Sequence, residues 1–101
     1  MPRIIRNVQL KKKYMSKMIV DGPRAIRVTS DGRGLECTAN YNGSNSSNWG
    51  HCYSIGSYGN CIDEIFQLGS DQIVVISDAG YEIKLRWQGS SIGSVISVSR
   101  R

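Results

Sequence analysis

The chain has 101 residues, with 13 Lys and Arg against 8 Asp and Glu for a net charge of +5, and 40% of its residues are hydrophobic. That length suits one domain, 1–101, with room for a real core but none for a catalytic cleft between two lobes. Three cysteines cannot all pair, and there is neither a charged-then-apolar leader nor a long apolar run; a reduced, cytoplasmic chain without a membrane partner is therefore expected.

Charge is unevenly placed along the chain. Arg3, Arg6, Lys11, Lys12, Lys13, Lys17, Arg24, Arg27 and Arg33 face only Asp21 and Asp31 in the first third. No Lys or Arg follows until Lys84, while Glu36, Asp63, Glu64, Asp71, Asp78 and Glu82 fall in between. Such asymmetry points to an anionic partner. The basic segment could track a nucleic acid backbone through Arg3, Arg6, Lys11, Lys12, Lys13, Lys17, Arg24 and Arg27, with Tyr14 stacking on a base. An acidic protein surface would be met by the same charges. The competing readings are solvated sheet-edge lysines and internal neutralisation by the acidic middle.

Residues 1–20 read as two strands with the lysines at their turn, against a rival helix using Ile4, Ile5, Val8, Met15, Met18 and Ile19. Arg24 to Ser30 and Leu35 to Tyr41 form a hairpin across Ser30-Asp31-Gly32-Arg33-Gly34, with Leu35, Cys37, Ala39 and Tyr41 on one face. Asn40 to Gly50 is an Asn/Ser/Gly loop carrying Tyr41 and Trp49. Tyr and Trp give wide amphipathic contact at low entropy cost, and Ser and Asn supply adaptable hydrogen bonds. This makes 40–58 a candidate protein-docking surface through Tyr41, Asn45, Asn48, Trp49, Tyr53 and Tyr58. An inhibitor, immunity or antidefence role fits such a surface, and a glycan-binding module is a third reading. The plainer alternative is a flexible connection with Trp49 in the core.

Asn60 to Gly69 is expected to hold a short helix at 61–68, because a strand using Ile62, Phe66 and Leu68 would point Glu64 inward. Gln72 to Ser77, Tyr81 to Trp87 and Ser94 to Ser99 are strands in hairpin order; Tyr81, Ile83, Leu85 and Trp87 alternate with Glu82, Lys84 and Arg86. The fold expected is mainly β, a small antiparallel barrel or sandwich of six to nine short strands.

Chemistry-bearing motifs are few. Cys37, His51, Cys52 and Cys61 have the count but not the paired-knuckle spacing of a zinc site, and buried reduced cysteines are the expectation. Adjacent His51 and Cys52 cannot form a nucleophile–base pair along one strand. No phosphate loop, GxSxG or HExxH occurs. The sequence thus argues for a non-enzymatic binding protein with no metal and no cofactor.

Overall fold

The computed structural model describes residues 17–43 and 48–100. They form two antiparallel four-stranded sheets, each a simple meander. The first contains β1 (Met18–Asp21), β2 (Arg24–Val28), β3 (Gly34–Thr38) and β4 (Gly50–Ser54) in that order. The second contains β5 (Ile62–Leu68), β6 (Gln72–Ser77), β7 (Tyr81–Gln88) and β8 (Ser91–Arg100). The sheets stay open rather than closing into a barrel, so the sandwich alternative holds. The segment 1–16, including the paired-strand and helix readings and the candidate residues Arg3, Arg6, Lys11, Lys12, Lys13 and Tyr14, lies outside the described residues, as does Asn45.

Tight turns set the registers. Gly22-Pro23 joins β1 to β2 and Gly89-Ser90 joins β7 to β8, each a two-residue connection. Both glycines sit at positive φ, +66° and +63°, the left-handed start that a two-residue hairpin turn needs and that side chains resist. With register fixed, alternation decides what is buried. Ile19, Ile26, Leu35 and Cys37 of the first sheet meet Ile62, Ile65, Ile73, Val75, Ile83, Leu85 and Trp87 of the second in one core. Fully burying each large aliphatic chain contributes about 1.5–3 kcal/mol.

The crossover from β4 to β5 is pinned at both ends. Ile55 is buried and donates its N–H to the Arg33 carbonyl, and Ile62 donates to the Gly32 carbonyl. A single 3-10 turn, Gly56–Tyr58, follows Ile55. Ser77 Oγ donates to the Tyr58 carbonyl at 2.7 Å, and the Asn60 N–H reaches Asp78 Oδ1 at 2.9 Å. No helix among the described residues is long and apolar enough to cross a membrane.

The expected helix at 61–68 is replaced by β5. A bulge supplies the reason: Ile62 pairs with Ser77 and Glu64 with Ile76, leaving Asp63 as the extra residue. The inserted residue shifts the alternation by one, so Ile62 and Ile65 both face the core while Glu64 stays on the partly exposed side. The charge that argued against a strand is therefore never buried, and Phe66 and Leu68 are turned out instead.

The cysteines also depart from expectation. Cys37 and Cys52 are joined by a disulfide across β3 and β4, their Cα atoms 6.2 Å apart, and Cys61 carries an exposed free thiol. Glu36 pairs with His51 and Leu35 with Tyr53, so Cys52 is the extra residue of a second bulge. With Gly50 opposite Cys37, alternation puts Cys52 on the same inward face, so it is the β3–β4 register, which spacing alone does not reveal, that makes the two cysteines neighbours.

Candidate functional site

The outer face of the first sheet carries the densest group of functional side chains. Cross-strand pairing sets Met18, Arg27, Glu36 and His51 in one row across all four strands. Arg27 Nε donates to Glu36 Oε1 at 2.8 Å, and the Arg27 guanidinium lies 4.0 Å from the Trp49 ring centroid. Tyr41 meets Trp49 edge to face at 6.2 Å. Its own N–H donates to the Pro23 carbonyl at 2.7 Å, tying the loop to the β1–β2 turn. The loop leaving Thr38 thus folds back over this face. Ala25 and Thr38, the next cross-strand pair on the same side, are buried accordingly, at 0% and 4% exposure.

Trp49 is half-buried, and its Nε1 is out of contact with solvent and without a hydrogen-bond acceptor among the described residues. A buried indole N–H without a partner costs about 1–3 kcal/mol. Cation–π contact with Arg27 offsets part of that cost.

Beside the aromatic pair runs a polar depression. Arg27, Val28, Ser30 and Glu36 line one part, and Thr29, Ser30, Asp31, Arg33, His51 and Ser54 line a neighbouring hollow of about 170 Å³. His51 Nε2 and Ser54 Oγ are 2.9 Å apart. They share a face only because the Cys52 bulge intervenes. Gly34 makes room for them, since a Cβ there would lie 3.2 Å from His51 Nε2 and collide with the Tyr53 carbonyl oxygen. Asp31 is engaged in its own turn: its carboxylate accepts from the Thr29 hydroxyl at 2.5 Å and from the Arg33 N–H at 3.0 Å. These bonds, the Thr29 hydroxyl foremost, hold its pKa below the ordinary aspartate value.

A hydroxyl beside an imidazole can exchange a proton, but acyl transfer also needs a group orienting the imidazole and donors for an oxyanion. No carboxylate hydrogen-bonds His51 among the described residues. Nor, among them, do three or more His, Cys, Asp or Glu side chains gather to hold a metal ion. With Cys37 and Cys52 bonded to each other, neither can serve as a thiolate ligand.

The residues singled out from sequence are dispersed. Tyr41, Trp49 and Arg27 come together, and Asn48 is exposed next to them. Tyr53 and Tyr58 instead pack against the core. Burial, with a smaller contribution from Tyr58, raises the Tyr53 pKa. Tyr58 lies edge-on to Tyr81 at 5.1 Å. Arg24 is at the opposite end of the sandwich from the candidate surface's hollow, bonded to Asp21 and reaching the Ser70 and Gly89 carbonyls of the second sheet. Lys17 is exposed just ahead of β1. In sequence His51 was weighed only with the cysteines, Glu36 only as part of the charge pattern and Ser54 not at all, and it is the register of two hairpins that joins them to Arg27.

No protein-family model matches this chain, and no curated protein or solved structure is significantly similar to it.

Proposed function

We propose that the protein is a non-enzymatic binding module that docks on another protein through the outer face of its first sheet, with Trp49, Tyr41 and Arg27 as the central contacts. The observation carrying this reading is the half-buried Trp49 indole, stacked on the Arg27 guanidinium and met edge-on by Tyr41 on the outer face of the sheet. Trp, Tyr and Arg are the residue types that most often dominate an interface. The polar depression alongside, from Glu36 to Ser54, supplies the hydrogen-bonding rim that such a centre requires.

Affinity capture from a nuclease-treated lysate, comparing wild type with Trp49→Ala, tests it. A stoichiometric protein partner that survives digestion and is lost with Trp49→Ala is the expected result. A partner retained by Trp49→Ala at full yield removes the assignment.

A second reading keeps nucleic acid as the partner, met by the basic N-terminal segment, and it is supported by the charge asymmetry and the exposed Lys17. Among the described bases, Arg24, Arg27 and Arg86 are already ion-paired with Asp21, Glu36 and Asp71, so phosphate contact falls on Lys11, Lys12, Lys13 and their neighbours. With about five phosphates neutralised on duplex DNA, the log-log salt slope is about −4.5. Glutamate at all three lysines then abolishes binding, and an unchanged affinity overturns this reading.

The cytoplasmic setting expected from the cysteine count is weakened by the Cys37–Cys52 disulfide, which belongs more often to oxidising compartments. An oxidising compartment also suits the glycan reading of the Tyr41–Trp49 surface, since glycan-binding modules normally work outside the cell. A glycan array without hits retires that reading.

A further inference from the structure

Among the edges of the two sheets, β8 stands apart. Edge strands present unpaired backbone donors and acceptors, and proteins guard them by keeping them short, by charging them, by proline or by bulges that twist the edge away. Here β1 has four residues with Asp21 at its end, β4 has five, and β5 carries Asp63 and Glu64. By contrast β8 runs for ten residues, Ser91–Arg100, with no charge before Arg100 and no proline. It hydrogen-bonds to β7 on one side, and no described strand pairs with the other. Eight of its ten residues are exposed. Val95, at 51%, is the most exposed large hydrophobic residue among those described, and its chain neighbour Ile96 is exposed at 37%.

We propose that this edge is an interface for a second copy of the chain, two β8 strands pairing antiparallel about a two-fold axis at Val95. The choice of partner follows from the sequence of the strand. Val95 is the midpoint of the uncharged stretch 91–99, so the two-fold sets Val95 against Val95, Gly93 against Ser97 and Ser91 against Ser99. Each Arg100 falls opposite Ser90 rather than another cation. A strand bearing charge along its edge would oppose like charges in such an arrangement, whereas this one meets its own copy without repulsion. Bulges at Gly93 and Ile96 break the regular ladder on either side of Ser94 and Val95, so the contact is centred on this short stretch between them and takes the strong twist of a two-stranded pair. The interface is distinct from the Trp49 surface on the first sheet and does not depend on it.

Sedimentation equilibrium of the full chain from about 1 to 300 µM, spanning the affinity range of small interfaces, measures the association. A concentration-dependent dimer is expected, with Val95→Lys shifting it to monomer while the thermal midpoint holds. A chain monomeric at every concentration overturns the proposal, as does a Val95→Lys variant that dimerises like wild type. A second measurement does not rely on that substitution being tolerated. In a Cys61→Ser background, Val95→Cys should crosslink to itself under mild oxidation, because directly opposed Cβ atoms lie about 4.5–5.5 Å apart. Crosslinking no faster than from a Ser30→Cys control on the opposite sheet equally overturns it.

Discussion

The Arg24 guanidinium lies 4.0 Å from the Trp87 ring centroid, so a base that opens the second strand of one sheet closes the end of the other. The same side chain holds Asp21 and reaches the Ser70 and Gly89 carbonyls, which belong to two turns of the opposite sheet. Trp87 in turn donates its indole N–H to Gln67 at 2.7 Å. A residue that charge counting assigns to a nucleic acid partner is thereby used for joining sheets.

Arg24→Ala is expected to destabilise the protein by about 2 kcal/mol, from the lost charge-assisted hydrogen bonds and the stacked cation. Arg24→Lys recovers less than half of that, because an ammonium cannot lie flat on the indole while serving several acceptors at fixed angles. Denaturant titration of the three proteins, with the m-value unchanged, checks the prediction. An alanine variant as stable as wild type sinks the clamp role.

Cutting the Cys37–Cys52 bond costs about 3 kcal/mol, the loop-closure entropy expected for a link across 15 residues. Thermal unfolding with and without reductant measures it directly. Cys52→Ala abolishes the response to reductant while leaving Cys61 reactive toward a thiol reagent.

Deletion of Asp63 removes the bulge that lets Ile62 and Ile65 face inward together. The strand must then expose one isoleucine or expel its pairing register, and a loss of about 3 kcal/mol or more follows from the lost burial. Asp63→Ala keeps the residue count and should stay within about 0.5 kcal/mol of wild type, as surface changes usually do. Equal stability of the deletion and the alanine variant would falsify the bulge's role.

Asp31 should titrate below the ordinary aspartate range, since the Thr29 hydroxyl and the Arg33 N–H favour its charged form. With the folded pKa depressed, its stabilising contribution is present above the unfolded pKa and is lost as pH falls through the folded one. NMR titration of the Asp31 carboxyl carbon reports the midpoint, and Thr29→Ala moves it back upward. A midpoint unaffected by Thr29→Ala removes the hydrogen bond as its cause.

The elements that were readable in sequence are those where one face is wet and the strand itself carries no inserted residue. In β7, Ile83, Leu85 and Trp87 are buried just as their alternation with Glu82, Lys84 and Arg86 predicts. The failures share a cause: β5 and β4 each contain an inserted residue, and period-2 reasoning has no means of placing it. In β5 it made a strand look electrostatically unfavourable, and in β4 it brings His51 and Ser54 to one face where strict alternation would put them on opposite ones; the disulfide was missed because an odd cysteine count was read as a reduced chain. The Tyr41–Trp49 loop was legible as an aromatic surface, but its seat on Arg27 depends on pairing between distant strands. Charge counting missed the local ion pairs for the same reason.

Because each sheet is a meander, the chain is divided cleanly in two: every strand pairing in 18–54 is internal to that stretch, and likewise in 62–100. Among the described residues no strand ladder crosses between the halves, which are linked by the short crossover around Gly56–Tyr58 and by bonds such as those of Arg24 and Ile62. Each alone would present an unsatisfied oily face, since the core is drawn from both. Severed at Ser57, the two pieces therefore have reason to find one another again, and a split version of this domain would reassemble through its core instead of through strand exchange.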